Sequence, residues 1–156
     1  KKGLASPDFI MAASKTMATL NKEAAEVLTT LKVNAVTDVT GFGLIGHLNE
    51  MCENSGVSSE IYFSEIELLP GVKSLAESGI IPGGTKRNLD FLDGFTSFGS
   101  EIDKNQQYIL ADAQTSGGLL ISLPAKQAET FKDAMGDHVK IIGSIINARS
   151  TRIIVK

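Results

Sequence analysis

The sequence predicts an α+β domain in which helices cover a mixed β-sheet. Three observations lead to this prediction. Apolar residues recur every three or four positions in the first thirty residues and again around 125–135, as on one face of a helix. Short runs rich in β-branched residues lie between glycine, asparagine and proline positions and are typical of strands. The last two such runs follow each other directly, so the chain is not a regular series of alternating strands and helices.

The helical start of the chain and the segment after it follow from local signals. Residues 6–8 (Ser-Pro-Asp) supply a hydroxyl cap, a proline at the first helical position and an acid in the first turn. Asn21 is a candidate second cap that would split this helical segment in two. Residues 35–40 predict a short strand, and a Gly-Phe-Gly turn at 41–43 leads from it into a helix over about 44–52.

The rest of the chain contains shorter elements, bounded mostly by glycine and proline. In chain order we expect a strand at 60–63, a helix at 72–77, a loop at 80–88, loop with short pieces at 89–105, a strand at 119–123, a helix at 124–135, and strands at 138–146 and 152–155 that form a hairpin around 147–150.

Length and composition fit one domain of this kind. The chain has 156 residues, of which 42% are apolar and 21% charged, as in an ordinary globular domain. Such a chain buries about 70% of the surface that its unfolded form exposes, so its core needs no disulfide or structural metal. The single cysteine, Cys52, excludes a disulfide scaffold, a zinc finger and a CxxC redox site, and is better explained as a core residue. We therefore expect a reducing, cytoplasmic setting.

Charge and hydropathy argue against two classes of partner. Fifteen Lys and Arg against eighteen Asp and Glu give a net charge of −3, and after residues 1–2 no basic run exceeds residues 86–87. Because nucleic-acid binding depends on clustered cations, we expect no nucleic-acid partner. No apolar stretch approaches the roughly eighteen residues of a membrane span, so we expect no membrane partner. The opening Lys-Lys-Gly, without Met or a leader, indicates a fragment of a longer protein.

Residues 37–47 carry the clearest chemical signal, because they join a strand end, a glycine turn and a helix start. Free backbone N–H groups at such a helix start attract phosphate oxygens, and an acid at the strand end, here Asp38, can hold the accompanying Mg²⁺. The glycine spacing also satisfies the dinucleotide fingerprint. We reject that fingerprint because the strand of a dinucleotide-binding site is an almost continuous run of Val and Ile. Here Thr37, Asp38 and Thr40 put three polar groups at the end of the strand. An equally weighted structural explanation is that the glycines only allow a tight turn that Asp38 caps.

Other candidate segments have weaker signals. Residues 83–88 join a Gly-Gly pair to a hydroxyl, two cations and an amide, all groups that hold phosphate, although a solvated loop explains them better on chemistry alone. Residues 115–118 precede a strand, and their two glycines indicate close backbone approach, here to the Asp38 loop. His47 and His138 are better explained as structural histidines than as metal ligands. No nucleophile set can be assembled.

The signature at residues 37–47 resembles that of the selenophosphate synthetase (selenide, water dikinase) family, within the superfamily of aminoimidazole ribonucleotide synthetase. The phenylalanine between the two glycines of the turn favours the selenium enzymes over their purine-pathway relatives. Four further segments resemble the C-terminal domain of that family in the same order, so that the resemblance spans nearly the whole chain: residues 17–22, 69–71, 82–88 and 114–121.

The resemblance implies a two-domain, homodimeric enzyme that converts Mg-ATP, selenide and water into selenophosphate, AMP and phosphate. Residues 1–156 would be its single C-terminal domain. The N-terminal domain, absent from this sequence, carries the family's reactive Cys or selenocysteine, a partner Lys, most metal-binding Asp residues and the dimer-forming strands. The chain alone would therefore be inactive and contain no catalytic residue. Its own partners would be that N-terminal domain, ATP and selenide.

Two kinds of site residue are implied. Asp38 matches a family Asp that helps to hold the ATP-associated metal, Mg²⁺. The residues expected at the phosphate end of the nucleotide are Gly41, Gly43, Lys86, Arg87 and Asn88. Two alternatives remain open: another ATP-using member of the superfamily, such as an aminoimidazole ribonucleotide synthetase or a thiamine-phosphate kinase relative, and a non-catalytic paralogue.

Overall fold

A computed structural model describes residues 3–156, and Lys1 and Lys2, the opening basic pair, lie outside the described residues. The helices are α1 (Pro7–Ala18), α2 (Lys22–Leu28), α3 (Gly43–Ser55), α4 (Val72–Glu77), α5 (Gly83–Phe91), α6 (Lys104–Leu110) and α7 (Ala125–Met135). The strands are β1 (Ala35–Asp38), β2 (Val57–Ile61), β3 (Thr96–Phe98), β4 (Leu119–Ser122), β5 (Gly143–Asn147) and β6 (Ile153–Val155). Across residues 3–156, every helix is too short or too polar to span a bilayer.

The strands form two sheets. A four-stranded sheet has the order β3-β6-β2-β5, in which β2 pairs in parallel with β6 and antiparallel with β5. β3 pairs in parallel with the other edge of β6. β1 and β4 form a separate antiparallel pair, the β1–β4 ribbon, in which Asp38 lies opposite Leu119. The expected α+β class with a mixed sheet is confirmed, and the ribbon is an addition that the sequence did not predict.

The core lies around α3, which packs against the four-stranded sheet and against α5 and α6. Ile45 and Cys52 of α3 are fully buried, and so are Ile153 and Val155 of β6. Burial raises the pKa of the Cys52 thiol, because the thiolate would be poorly solvated there. The prediction that Cys52 is a core residue is confirmed.

Helix ends predicted from the sequence are confirmed where a local signal marks them. The Ser6 hydroxyl accepts a hydrogen bond from the Phe9 N–H (3.3 Å), and Pro7 is the first residue of α1. α1 and α2 are separate helices, with Asn21 as the N-cap residue of α2. Gly56 ends α3 in the left-handed conformation, at φ +63°.

The loop predicted at residues 80–88 is wrong, because α5 begins at Gly83, directly after Pro82. The two glycines lie in the first helical turn, where N–H groups need no helical partner, and Thr85 and Leu89 are buried. Packing of this buried face outweighs the low helix propensity of the glycines. α5 and β3 also replace much of the loop expected at 89–105.

α6 was not predicted, although the sequence carries a signal for it. The Asp103 carboxylate accepts from the Gln106 N–H (2.9 Å), and the Gln106 side-chain oxygen accepts from the Asp103 N–H (2.7 Å). This reciprocal pair is a capping box, and it fixes the start of the helix.

The predicted hairpin between the last two strands is also wrong. β5 and β6 lie on opposite sides of β2, so the segment that joins them crosses the end of that strand. The buried Ser58 hydroxyl holds this crossing by accepting from the Arg149 N–H (2.9 Å) and donating to the Thr151 carbonyl (3.2 Å). β2 itself begins at Val57 rather than at residue 60. Its first residues were not predicted, because Ser58 and Ser59 are buried but polar, so the hydropathy pattern does not mark them as strand.

Candidate functional site

Asp38 is the last residue of β1, and its side chain is exposed. Burial alternates along β1, so that Val36 and Asp38 face outward while Ala35 and Thr37 are partly covered. Antiparallel pairing continues one residue further, because the Val39 N–H donates to the Gly118 carbonyl (2.9 Å). Within residues 3–156 the Asp38 carboxylate has no hydrogen-bond or ion-pair partner, so it is available to a ligand.

The turn after Asp38 is packed tightly on the end of α6. Gly43 has φ +71°, and a Cβ atom there would lie 2.6 Å from the Ala111 carbonyl carbon and 2.8 Å from the Asp112 carbonyl oxygen. The Thr40 carbonyl closes the turn by accepting from the N–H groups of Gly43 (3.1 Å) and Gln114 (2.9 Å). Gly43 is therefore required by the turn itself, whereas a Cβ at Gly41 would meet no atom within 4 Å.

α5 is tied to the same turn by Asn88. Its side-chain N–H groups donate to the Gly41 carbonyl (2.9 Å) and to the Ala111 carbonyl (3.0 Å). The structure therefore brings Asn88 to the glycine turn. Lys86 and Arg87 lie on the exposed side of the helix, and within the described residues they form no ion pair.

Asp112 is a residue of this region that the sequence analysis missed. Its carboxylate accepts a 2.5 Å hydrogen bond from the buried Thr85 hydroxyl. Burial raises the pKa of Asp112, and the hydrogen bond from Thr85 partly offsets that rise. Its position directly after the unpredicted α6 hid it, because no element was assigned to residues 106–113.

His47 is held in α3 between two oxygen atoms, as expected of a structural histidine. Its Nε2 lies 3.2 Å from the Thr40 hydroxyl oxygen and its Nδ1 lies 3.1 Å from a Glu50 carboxylate oxygen. His47 is 7% exposed, and the neighbouring Phe42 is 56% exposed. The two ring centroids are 5.6 Å apart.

The prediction that residues 115–118 approach the Asp38 loop is confirmed. A Cβ atom at Gly117 would overlap the Val39 carbonyl oxygen. The Gly117 carbonyl accepts from the Asn21 side chain (3.0 Å), so the start of α2 is fixed to the same loop. Both contacts hold the segment that enters β4 against the loop that follows Asp38.

The residues present fit part of a Mg²⁺ site. Mg²⁺ prefers carboxylate oxygen ligands, and Asp38 offers a free, exposed one. Across residues 3–156 there is no group of three or more His, Cys, Asp or Glu side chains that could hold a metal. A Mg²⁺ ion at Asp38 would therefore need further ligands from outside the described part of the chain.

A cleft of about 1250 Å³ separates the β1–β4 ribbon from β2 and β5. Its lining includes Val39 and Gly117 but none of the predicted site residues, since Asp38, Gly41 and the exposed side of α5 lie outside it. Of the predicted residues on α5, Asn88 contacts the glycine turn that follows Asp38, while Lys86 and Arg87 are exposed on the same helix.

Comparison with known proteins gives a family and a set of relatives. Residues 10–156 match the family described as "AIR synthase related protein, C-terminal domain". The chain is 40% identical to a selenide, water dikinase of Clostridium botulinum over 159 aligned residues, which cover 100% of this chain and 46% of the relative. It is 43% identical to a selenide, water dikinase of Myxococcus xanthus, covering 93% of this chain and 43% of the relative. The chain thus spans slightly less than half the length of these relatives.

Solved structures share the fold at lower identity. The hydrogenase maturation protein HypE of E. coli matches with a TM-score of 0.62 and 17% identity, over 88% of this chain and 37% of that protein. Thiamine monophosphate kinase of Aquifex aeolicus matches with a TM-score of 0.57 and 15% identity, over 98% of this chain and 42% of that protein. A HypE structure in complex with ATP matches with a TM-score of 0.56 and 20% identity, over 88% of this chain and 37% of that protein.

Proposed function

This chain belongs to the family of AIR synthase related proteins, as a C-terminal domain, and we propose that it is the C-terminal domain of a selenide, water dikinase. Such an enzyme converts ATP, selenide and water into selenophosphate, AMP and phosphate. The observation that carries the proposal is the 40% identity over the entire chain to a protein of that name. The match of the signature at residues 37–47 supports the same assignment.

We also propose the organisation that this function requires. The relatives are about twice as long as this chain, which supports a further N-terminal domain as its first partner. The complete protein would be a cytoplasmic homodimer that binds ATP and selenide. The chain by itself would be inactive, because the nucleophile and most metal ligands would lie in the other domain.

Asp38 is the proposed metal ligand of this domain. Its carboxylate is exposed and unpaired within the described residues, and it lies at the end of a strand beside a glycine turn. Mg²⁺ bound there would neutralise charge on the phosphates of ATP, which is the main requirement of phosphoryl transfer. The role of this chain is to hold the carboxylate in place, and the β1–β4 ribbon does so through its continued pairing at Val39.

The phosphate end of ATP would lie in front of the glycine turn. The space next to Gly41 is open, and the Lys86 and Arg87 cations are exposed on α5, whose Asn88 contacts the same turn. Both N–H groups of the Asn88 amide are already bonded to carbonyls, so we assign Asn88 to positioning the turn. The backbone of Gly41 would face the phosphates, together with the two cations. Gly43 is buried and its N–H is bonded to the Thr40 carbonyl, so we assign it to the shape of the turn. The relative HypE, solved in complex with ATP, supports a nucleotide as the ligand of this fold.

The test is phosphorus NMR on the full-length protein that carries this chain, incubated anaerobically with Mg-ATP and selenide. We expect selenophosphate and AMP from the wild type and a loss of at least about tenfold in turnover from Asp38→Asn, since even indirect partners of a metal cost 10–100-fold. Asp133→Asn is the matched control, because Asp133 is an exposed acid on α7, outside the strand, the turn and the helices that form the site.

Each other outcome has a definite meaning. Unchanged turnover in Asp38→Asn would remove Asp38 from the site. ATP left intact by a folded wild-type protein would overturn the selenide activity and favour another substrate of the superfamily or a non-catalytic paralogue. Equal losses in Asp38→Asn and Asp133→Asn would show that the effect is not specific to the metal ligand.

A further inference from the structure

The first helix, α1, has an apolar side that residues 3–156 leave uncovered. Helices α2 to α7 each bury at least one residue, whereas α1 buries none. Ile10 is 56% exposed, Met11 is 65% exposed and Met17 is 41% exposed. Single exposed apolar side chains are ordinary on a protein surface, but three of them on one helix form a patch, here called the α1 patch.

Helical spacing separates the α1 patch from the charged residues of the same helix. Ile10 and Met17 are seven residues apart, so they lie on one stripe of the helix, and Met11 is beside that stripe. The two charged residues of α1, Asp8 and Lys15, are also seven residues apart and form a stripe of their own. A helix whose outer surface only meets water carries polar residues across that surface. The pattern of α1 is therefore typical of a helix that packs on two sides.

The other side of α1 fixes the helix to the rest of the domain. Phe9, Ala12 and Ala13 are partly buried on that side. A Cβ atom at Gly71, which has φ +83°, would overlap the Phe9 ring, so the ring lies directly against the backbone that leads into α4. The α1 patch is therefore held in one orientation on the surface of the domain.

The length of the relatives supports one occupant for the α1 patch. The family match is to a C-terminal domain, and this chain covers only 46% and 43% of the two selenide, water dikinases. In a protein of that length the additional chain precedes the matched domain. Because α1 is the first element of the described residues, a preceding domain reaches the patch without a long linker.

We propose that the α1 patch, formed by Ile10, Met11 and Met17, is the surface on which the preceding N-terminal domain packs. The inference rests on the N-terminal domain of the proposed function, and it names the place where that domain binds. The partner surface would be apolar, since the patch offers it no charge. Two of the three patch residues are methionines, whose unbranched side chains adapt to an irregular partner surface.

The experiment measures the oxidation of methionine side chains by dilute hydrogen peroxide in the full-length protein, residue by residue, by mass spectrometry. Peroxide converts an accessible thioether into the sulfoxide. In the described chain Met11 and Met17 are exposed, whereas Met51 and Met135 are partly buried and act as internal controls. We expect the reverse order in the full-length protein, with Met11 and Met17 oxidised more slowly than Met51 and Met135.

A pair of matched variants measures the contact in the same protein. Ile10→Gln should lower the melting temperature by roughly 3–12 °C, because an isoleucine buried by the N-terminal domain is replaced by a polar side chain. Glutamine forms helices at least as well as isoleucine, so helix propensity does not explain such a loss. The control is Ile141→Gln, the same substitution at 41% exposure in the segment that joins α7 to β5, which should shift the melting temperature by at most about 2 °C.

The outcomes separate this inference from the proposed function. Fast oxidation of Met11 and Met17 in a full-length protein that makes selenophosphate overturns the inference and leaves the proposed function intact. Slow oxidation of both in a protein that leaves ATP and selenide unchanged supports the inference while the proposed function fails. Protection that disappears on dilution, as the oligomer dissociates, assigns the α1 patch to a second copy of the chain and overturns the inference. Equal shifts of the melting temperature in Ile10→Gln and Ile141→Gln also overturn it.

Discussion

Replacing Gly43 by alanine tests the central feature of the site, the glycine turn packed on the end of α6. The cost has two parts. A residue with a Cβ atom at φ +71° costs about 1–2 kcal/mol. The new atom would lie 2.6 Å from the Ala111 carbonyl carbon, which is backbone and cannot rotate away, and such overpacking costs about 1–3 kcal/mol. We expect Gly43→Ala to lower the free energy of unfolding by about 2–5 kcal/mol.

Two other glycines of the same region separate these contributions. Gly56 ends the same helix at φ +63° and has open space around its Cβ position, so Gly56→Ala should lose only the conformational part, about 1–2 kcal/mol. Gly41 has neither a positive φ nor a close neighbour, so Gly41→Ala should stay within about 0.5 kcal/mol of the wild type.

The assay is urea denaturation of the three variants, with thermal unfolding as a second measurement. At roughly 2–4 °C per kcal/mol, Gly43→Ala should lower the melting temperature by roughly 4–20 °C and Gly56→Ala by roughly 2–8 °C. Equal losses of stability in Gly43→Ala and Gly56→Ala would refute the close contact between the turn and α6. A large loss in Gly41→Ala would refute the open space that we assign to the phosphates.

Two further predictions concern contacts outside the glycine backbone. Asn88→Ala leaves two carbonyls without their donor and should lower the free energy of unfolding, measured by urea denaturation, by about 1–3 kcal/mol. Asn54→Ala, at an exposed position of α3, is the control and should leave stability unchanged. Similar losses of stability in the two variants would contradict the role of Asn88. The Lys156 ammonium lowers the pKa of Glu60. The ion pair between the two side chains therefore stabilises the fold at neutral pH, and this stabilisation is lost as pH falls through the pKa of Glu60. The stability difference between wild type and Glu60→Gln should therefore shrink in acid, and a difference independent of pH would contradict it.

Local signals account for the parts of the fold that the sequence predicted. Ser6 and Pro7 mark the start of α1 by their own chemistry, and α4 has the predicted bounds because glycines stand on both sides of it. The strand, glycine turn and helix around Asp38 follow from β-branched residues and a Gly-x-Gly sequence. None of these inferences needs a contact with a distant part of the chain.

Two of the wrong predictions, the loop at residues 80–88 and the final hairpin, depend on distant contacts. α5 contains two glycines in its first turn, and its helical state follows from the burial of Thr85 and Leu89 against the rest of the core. The final two strands are close in sequence, but β2, some ninety residues earlier, lies between them. Propensity and spacing contain no information about such neighbours.

The candidate site contains both kinds of residue, those that local signals predicted and those that were not predicted. The groups proposed to meet the ligand, Asp38 and the glycine turn, lie in one locally encoded segment. The groups that hold this segment in space, Asn88 and the end of α6 at Ala111, belong to helices that were not predicted, although a capping box marks the start of α6. A sequence motif can therefore be intact while its geometry is lost. For this reason, substitutions in α5 and α6 should impair nucleotide binding even though they leave every residue of the motif unchanged.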